Sequence, residues 1–305
     1  ILNKIYSLVI QAQTSNLWSI PTDCPQREKR GWMGDAHMTS KQNLYNHHAL
    51  EFYTNFIRNI ADNQLETCSS VPVRIFNDSA KCHDPNLNTN GSVPDVSPYF
   101  SPPYGDFPGS LVWASGIIVI PYNLLNHYGE LAIPMIRNNW KNMVDFMNYL
   151  LRQKDPISGL VKPGGLGDWV PPGGNSYNTV PPNATSTFYW LLDLYYMSEM
   201  GNALGYMDEA KSYLEQYTDG CKAYHKFYFN EKFKTYDWGG QTSLMIPLYL
   251  NIVPSKYKSM IQKQLIDDIK HGIGGIDELM PSNVKRLKPL GPNHLKVSIC
   301  IYIYI

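Results

Sequence analysis

Residues 111–153, LVWASGIIVIPYNLLNHYGELAIPMIRNNWKNMVDFMNYLLRQ, carry apolar side chains at helical spacing on both sides of a short turn at Glu130 and Leu131. Such a stretch reads as an antiparallel αα-hairpin, with Pro121 and Pro134 near helix starts or kinks. The scheme recurs downstream. TFYWLLDLYYMSEMGN (187–202) is followed by YMDEAKSYLEQYTDGCKAYHKFYF (206–229), and TSLMIPLYLNIV (242–253) by SKYKSMIQKQLIDDIKHG (255–272). Upstream, Leu2, Ile5, Leu8, Val9 and Ala12 mark a helix that must stop before Pro21. A further helical segment is expected from Asp35 or Ala36 through Leu50, Phe52, Tyr53, Phe56, Ile57 and Ile60 to about Asn63. The count is roughly nine helices with no convincing strand before residue 272, an all-α chain made of hairpins.

Composition narrows what such a chain could recognise. Lys and Arg together number 26, as do Asp and Glu, so no global field argues for nucleic acid or an anionic membrane surface, and the expected partner is a neutral molecule. No apolar run reaches the roughly 18 residues of a bilayer span. Five cysteines show no CxxC and no zinc-ligand spacing. Cys68 and Cys82 flank a polar loop and could pair, while Cys24 reads as a buried thiol. His37, His47 and His48 lack the partners that would complete a metal site. Sequons at Asn77, Asn90 and Asn183 suit a secreted protein, in an extracellular or lysosomal setting. Two excursions rich in Gly, Pro and Asn interrupt the helices: residues 65–110, and the segment holding Asp168 and Trp169. Beyond Gly272 the helical period is lost. Residues 273–305 are expected to be an atypical tail from a truncated or mis-spliced reading frame, leaving 1–272 as one domain.

The densest chemistry lies at 19–40, SIPTDCPQREKRGWMGDAHMTS. Pro21 and Pro25 hold the backbone extended, Gly31 and Gly34 permit tight turns around Trp32, and Asp23, Glu28 and Asp35 do not share a helical face. A loop presenting several acids around an indole suits sugar cleavage. One carboxyl is held protonated as general acid, others accept hydroxyl hydrogen bonds, and the aromatic ring meets the apolar sugar face.

TDCPQREKRGWMGDAH closely resembles the signature of the α-L-rhamnosidases of glycoside hydrolase family 78, the six-hairpin glycosidases. VPDVSPY, LVWASGIIVIPYNLLNHYGE, GLGDWVPP, ATSTFYWLLDLYYMSEM and GGQTSLMIPLYLNIVP follow in the order of the family's blocks, over roughly residues 1–272. The resemblance implies an (α/α)6 barrel of twelve helices, present here as about nine, with 1–272 a partial catalytic domain. It also implies inverting hydrolysis of terminal non-reducing α-L-rhamnose, with a rhamnose-containing glycoside or polysaccharide as partner, no nucleic acid, no membrane, no cofactor and no metal.

The roles it implies are specific. Glu28 matches the general acid, Asp23 and Asp35 match carboxylates that hold sugar hydroxyls and tune the acid, and Arg27 matches a substrate-contacting arginine. Trp32, Trp113 and Trp169 look like walls for the C5 methyl face, with Asp168 adjacent, and Asp95 is either a rim carboxylate or a turn residue. The general base of the family lies in a Gly/Thr-rich block ending in Trp-Glu. No such block occurs here, and the late Glu278 is left unassigned. Two rival readings stand beside this one: a non-catalytic sugar-binding or scaffold remnant of the barrel, and the same fold acting on another glycoside.

Overall fold

The computed structural model describes residues 1–64, 89–99, 105, 107–161, 165, 167–169, 180–271, 276 and 279 of the 305. Cys68, Cys82, the sequon at Asn77, Glu278 and the tail expected over 273–305 lie outside them, apart from residues 276 and 279. Nine helices of nine residues or more account for most of the described residues. They are α1 (Leu2–Asn16), α2 (Met33–Asn46), α3 (Leu50–Asp62), α4 (Gly116–Tyr128), α5 (Ile133–Arg152), α6 (Pro182–Leu204), α7 (Met207–Tyr228), α8 (Gln241–Tyr249) and α9 (Ser255–His271).

The quoted hairpin forms as α4 and α5. Between them the turn tightens into a 3-10 segment, Gly129–Ala132, which Gly129 enters at φ +57°, a conformation that costs glycine nothing. Pro134 occupies the first turn of α5, where its missing N–H has no intrahelical partner to lose. Pro121 lies inside α4 and not at its start. α5 buries Met135, Ile136, Trp140, Met143, Phe146, Met147 and Leu150, the stripe that the 3.6 period demands.

The helix expected from Asp35 to Asn63 is instead two. His47 adopts an extended conformation (φ −138°, ψ 146°), so α2 ends at Asn46 and the chain restarts as α3 at Leu50. α3 buries Tyr53, Phe56, Ile57 and Ile60. The absence of strands before residue 272 is also corrected. Phe229–Asn230 (β1) and Thr235–Tyr236 (β2) pair antiparallel as a minimal hairpin after α7. On α1 the apolar residues Leu2, Ile5 and Leu8 are exposed and only Gln13 is buried, so that stripe covers no core in the described residues.

The chain divides into two compact units, Ile1–Gln153 with Asp193–Tyr213, and Lys154–Leu192 with Leu214–Ile305. In the first, α2 and α3 pack on α4, and α3 and α4 pack on α5. Its centre holds Tyr53, Phe56, Ile57, Ile60, Ile117 and Phe146, all fully buried. Burial of a side chain of this size contributes about 1.5–3 kcal/mol. In the second, α8 packs on α9 and on β2, and Gly220 of α7 lets Trp190 and Leu191 of α6 approach. A Cβ at Gly220 would lie 2.5 Å from Leu191 Cδ2. No helix of the described residues is long and apolar enough to cross a membrane.

Candidate active site

The loop joining α1 to α2 is built by a few backbone contacts, and these place its acids. Asp23 N–H donates to the Arg30 carbonyl at 3.0 Å, and Arg30 N–H donates back to Asp23 Oδ1 at 2.9 Å. The chain between them reverses through Lys29, which is held at φ +56°. Gly31 then runs against residue 97. Ser97 N–H donates to the Gly31 carbonyl at 2.9 Å, and a Cβ on Gly31 would fall 1.9 Å from the Ser97 carbonyl oxygen, so no other residue fits. Trp32 pairs with Val96 in an antiparallel bridge, and Met33 N–H donates to the Asp95 carbonyl at 2.8 Å to begin α2.

Asp95 therefore has a structural place. It is buried, and its Oδ1 accepts Ser110 N–H at 2.7 Å.

Glu28 stands at the centre of the loop. Its Oε1 accepts from Arg27 Nη2 at 3.0 Å and its Oε2 from the Trp32 indole N–H at 2.9 Å. The Arg27 side chain is 78% exposed and that of Glu28 24%, so the carboxylate is sheltered while the guanidinium looks outward. Sequence reasoning assigned Trp32 a stacking role and missed its N–H. The signal was the four-residue spacing from Glu28 to Trp32. Cys24, expected as a buried thiol, is only half-buried, and its sulfur is engaged within the loop: Sγ–H donates to Asp23 Oδ2 at 2.9 Å and Sγ accepts Glu28 N–H at 3.1 Å.

Asp35, on the first turn of α2, opens onto a recess of about 170 Å³ whose lining includes Gln13, Asn16, Asp23, Thr39 and Gln42. Its side chain reaches solvent but is ringed by protein. That crowding pushes its carboxyl up to about 6, chiefly by desolvation and then by the charges of Asp23 and Glu28. The loop's two carboxylates and its own burial thus favour the protonated form of Asp35. Asp23, Cys24 and Glu28 are also the one group among the described residues whose ligand atoms all lie within 4.8 Å of one another. Their hydrogen bonds already engage the sulfur and both Glu28 oxygens, so the donor set is committed to the loop.

The other aromatic candidates are placed differently. Trp113 follows Ser110 in a single helical turn, Leu111–Ala114, and is only 6% exposed. Its indole lies on Gly34, where a Cβ would be 2.6 Å from Nε1. His37 is fully buried, with Nε2 at 2.8 Å from the Val112 carbonyl, and burial pushes its ring down to about 4. In the second unit, Asp168 is fully buried and its Oδ2 accepts the Thr242 hydroxyl at 2.7 Å, while Trp169 beside it is 39% exposed. Thr242 went unnoticed in the sequence, where it reads as one more residue of the GGQTSL block.

Comparison with known proteins supplies the lineage. The profile of the bacterial alpha-L-rhamnosidase 6 hairpin glycosidase domain matches residues 1–277. An α-L-rhamnosidase of Formosa agariphila is 28% identical over 285 residues, which are 90% of this chain and 28% of that protein. One from Streptomyces avermitilis is 23% identical over 267 residues, 87% of this chain and 22% of its own length. Among solved structures, the α-L-rhamnosidase from Dictyoglumus thermophilum superposes with a TM-score of 0.74 at 30% identity, covering 88% of this chain and 27% of that one. The Streptomyces avermitilis α-L-rhamnosidase complexed with L-rhamnose gives 0.70 at 22%, covering 88% and 22%, a likeness of fold. The chain spans about a quarter of the length of these relatives. Its helical hairpins are part of an (α/α)6 barrel, as the sequence led one to expect. Matched over residues 1–277 and folded in the same way, the chain belongs to the six-hairpin glycosidase family of the bacterial α-L-rhamnosidases.

Proposed function

We propose that the chain forms the acid half of a glycosidase site that removes terminal α-L-rhamnose with inversion, Glu28 giving its proton to the departing oxygen. One observation carries the assignment: the Glu28 carboxylate sits between the Arg27 guanidinium and the Trp32 indole N–H, in a loop that also holds Asp23 and leads into the helix turn that carries Asp35. The rigid contact is with Trp32, which orients the carboxyl. The contact with exposed Arg27 is the one that a glycosidic oxygen displaces, leaving the guanidinium free to hold a sugar hydroxyl. Asp23 and Asp35 then accept hydroxyl hydrogen bonds from the sugar.

Inversion requires a second carboxylate roughly 6.5–9.5 Å across the sugar to activate water. The base is not assigned to any residue of this chain. The substrate class rests on relatives named α-L-rhamnosidases, one of them solved with L-rhamnose. A secreted setting is supported by the sequons at Asn90 and Asn183, whose side chains are both exposed. The test is the release of phenol from phenyl α-L-rhamnoside, whose poor leaving group needs the acid. Glu28→Gln is expected to lower kcat by about 10² to 10⁴, the worth of a general acid. An unchanged kcat removes Glu28 from the role.

A further inference from the structure

Around Glu28, one side chain has been given no part in the chemistry, yet it touches the frame of two carboxylates. Cys24 Sγ accepts the Glu28 N–H at 3.1 Å and donates its proton to Asp23 Oδ2 at 2.9 Å. The other Asp23 oxygen and the Asp23 N–H are both bonded to Arg30. Residues 23–30 thus form a closed ring with the thiol as its internal strut. The ring also holds Lys29 in the left-handed region, a conformation that a side-chain-bearing residue adopts only where its surroundings impose it. Glu28 is accordingly fixed at two ends, its carboxylate by Arg27 and Trp32 and its amide by the sulfur.

We propose that Cys24 is a positioning residue for proton donation: it sets where the Glu28 backbone lies and occupies one lone pair of Asp23, so that the acid meets the departing oxygen in line. The proposal rests on Glu28 being the acid. A thiol is a weak donor and a weak acceptor with a long reach. Serine keeps both roles but its shorter bond cannot satisfy both partners at their present places, and alanine keeps neither. A misplacement of about 1 Å in a catalytic group can cost about 10²-fold in rate.

The experiment compares two rhamnosides in the full chain, one with a good leaving group (dinitrophenyl) and one with a poor leaving group (phenyl), because only the poor one needs the acid. Cys24→Ala is expected to lower kcat about 10- to 100-fold on the phenyl rhamnoside and less than about three-fold on the dinitrophenyl one, with KM little changed. Cys24→Ser falls between wild type and alanine. Glu28→Gln shows the same selectivity more strongly. If the Glu28→Gln loss ignores the leaving group, the acid assignment fails. If that loss is selective but the Cys24→Ala loss is equal on both substrates, or absent, the positioning proposal fails while the acid stands. A second readout needs no turnover: hydrogen exchange of the Glu28 amide is expected to speed up at least about ten-fold in Cys24→Ala and less in Cys24→Ser. Unchanged protection of that amide overturns the proposal.

Discussion

Gly34 decides how closely Trp113 approaches α2. A methyl group there would sit 2.6 Å from the indole nitrogen, and Trp113 is buried with little room to retreat. Two effects oppose each other in Gly34→Ala. Alanine gains about 1 kcal/mol of helix propensity, and overpacking a filled site costs about 1–3 kcal/mol. The clash is with the rigid end of an aromatic ring, so it wins, and the variant is expected to unfold at lower denaturant than wild type. A variant of equal or greater stability would show that Trp113 moves freely. Asp35 gives a second prediction at this scale. For an acid whose proton affinity is raised by folding, stability is full below its unfolded value of about 3.9 and is lost as pH rises through the folded value near 6. Asp35→Asn removes that loss, so the variant gains on wild type between about pH 4 and pH 6 and by a constant amount above. Asp23→Asn is expected to lower the Asp35 midpoint, read from its carboxyl carbon resonance, because a neighbouring negative charge has gone. A midpoint that does not move would remove Asp23 from the causes.

Helices announced themselves where the apolar period was long. α5 reads from its sequence almost residue by residue, while its neighbour α4 takes Pro121 into its interior and starts at Gly116, after the separate turn Leu111–Ala114. The break between α2 and α3 was illegible because His47, His48 and Ala49 contain neither proline nor glycine and apolar residues continue on either side. The β1–β2 hairpin was hidden for a related reason. Its strands are two residues long, and the left-handed positions directly flanking β2, Lys234 and Asp237, are not glycines. A prediction at this scale concerns the joint between α6 and the turn that carries Trp113. Asp193 of α6 is fully buried, and its Oδ2 accepts the hydroxyl of Ser115, the residue that closes the turn Leu111–Ala114, at 2.6 Å. Its Oδ1 has no hydrogen-bond partner among the described residues. Desolvation raises its proton affinity well above the ordinary carboxylate range, against the pull of Ser115. Stability tied to this group is therefore full below the unfolded value of about 3.9 and drains as pH rises through the folded one. Whatever the offset at acid pH, the difference in melting temperature between Asp193→Asn and wild type is expected to move in favour of the variant as pH increases. A difference that stays flat would mean that Asp193 has the same proton affinity folded and unfolded, and that burial does not shift it.

For the molecule as a whole, the candidate site was half legible. The acids at 23, 28 and 35 and the indole at 32 stand close together in the chain, so their clustering could be read directly. Their supports come from far away in sequence and carry no local mark: Ser97 against Gly31 and Trp113 against Gly34. Within the second unit the pairing of Thr242 with Asp168 is equally unmarked. Only folding reveals those pairs. Charge balance, by contrast, is legible at once and yields the broadest prediction. With 26 basic and 26 acidic residues the chain has no net field to steer an anion, and at the site Arg27 is already matched by Glu28. Raising ionic strength from about 0.01 to 1 M shortens the Debye length from roughly 30 to 3 Å. In a protein that steers by charge, such a change alters association by about 10- to 10³-fold. Here kcat/KM for a neutral aryl rhamnoside is expected to stay within about two-fold, and an anionic rhamnosyl oligosaccharide should gain no more than that at low salt. A steep loss confined to the anionic substrate would show that Arg27 and its neighbours form a local positive patch that the overall balance conceals. The substrate would then be an acidic polysaccharide and not a neutral glycoside.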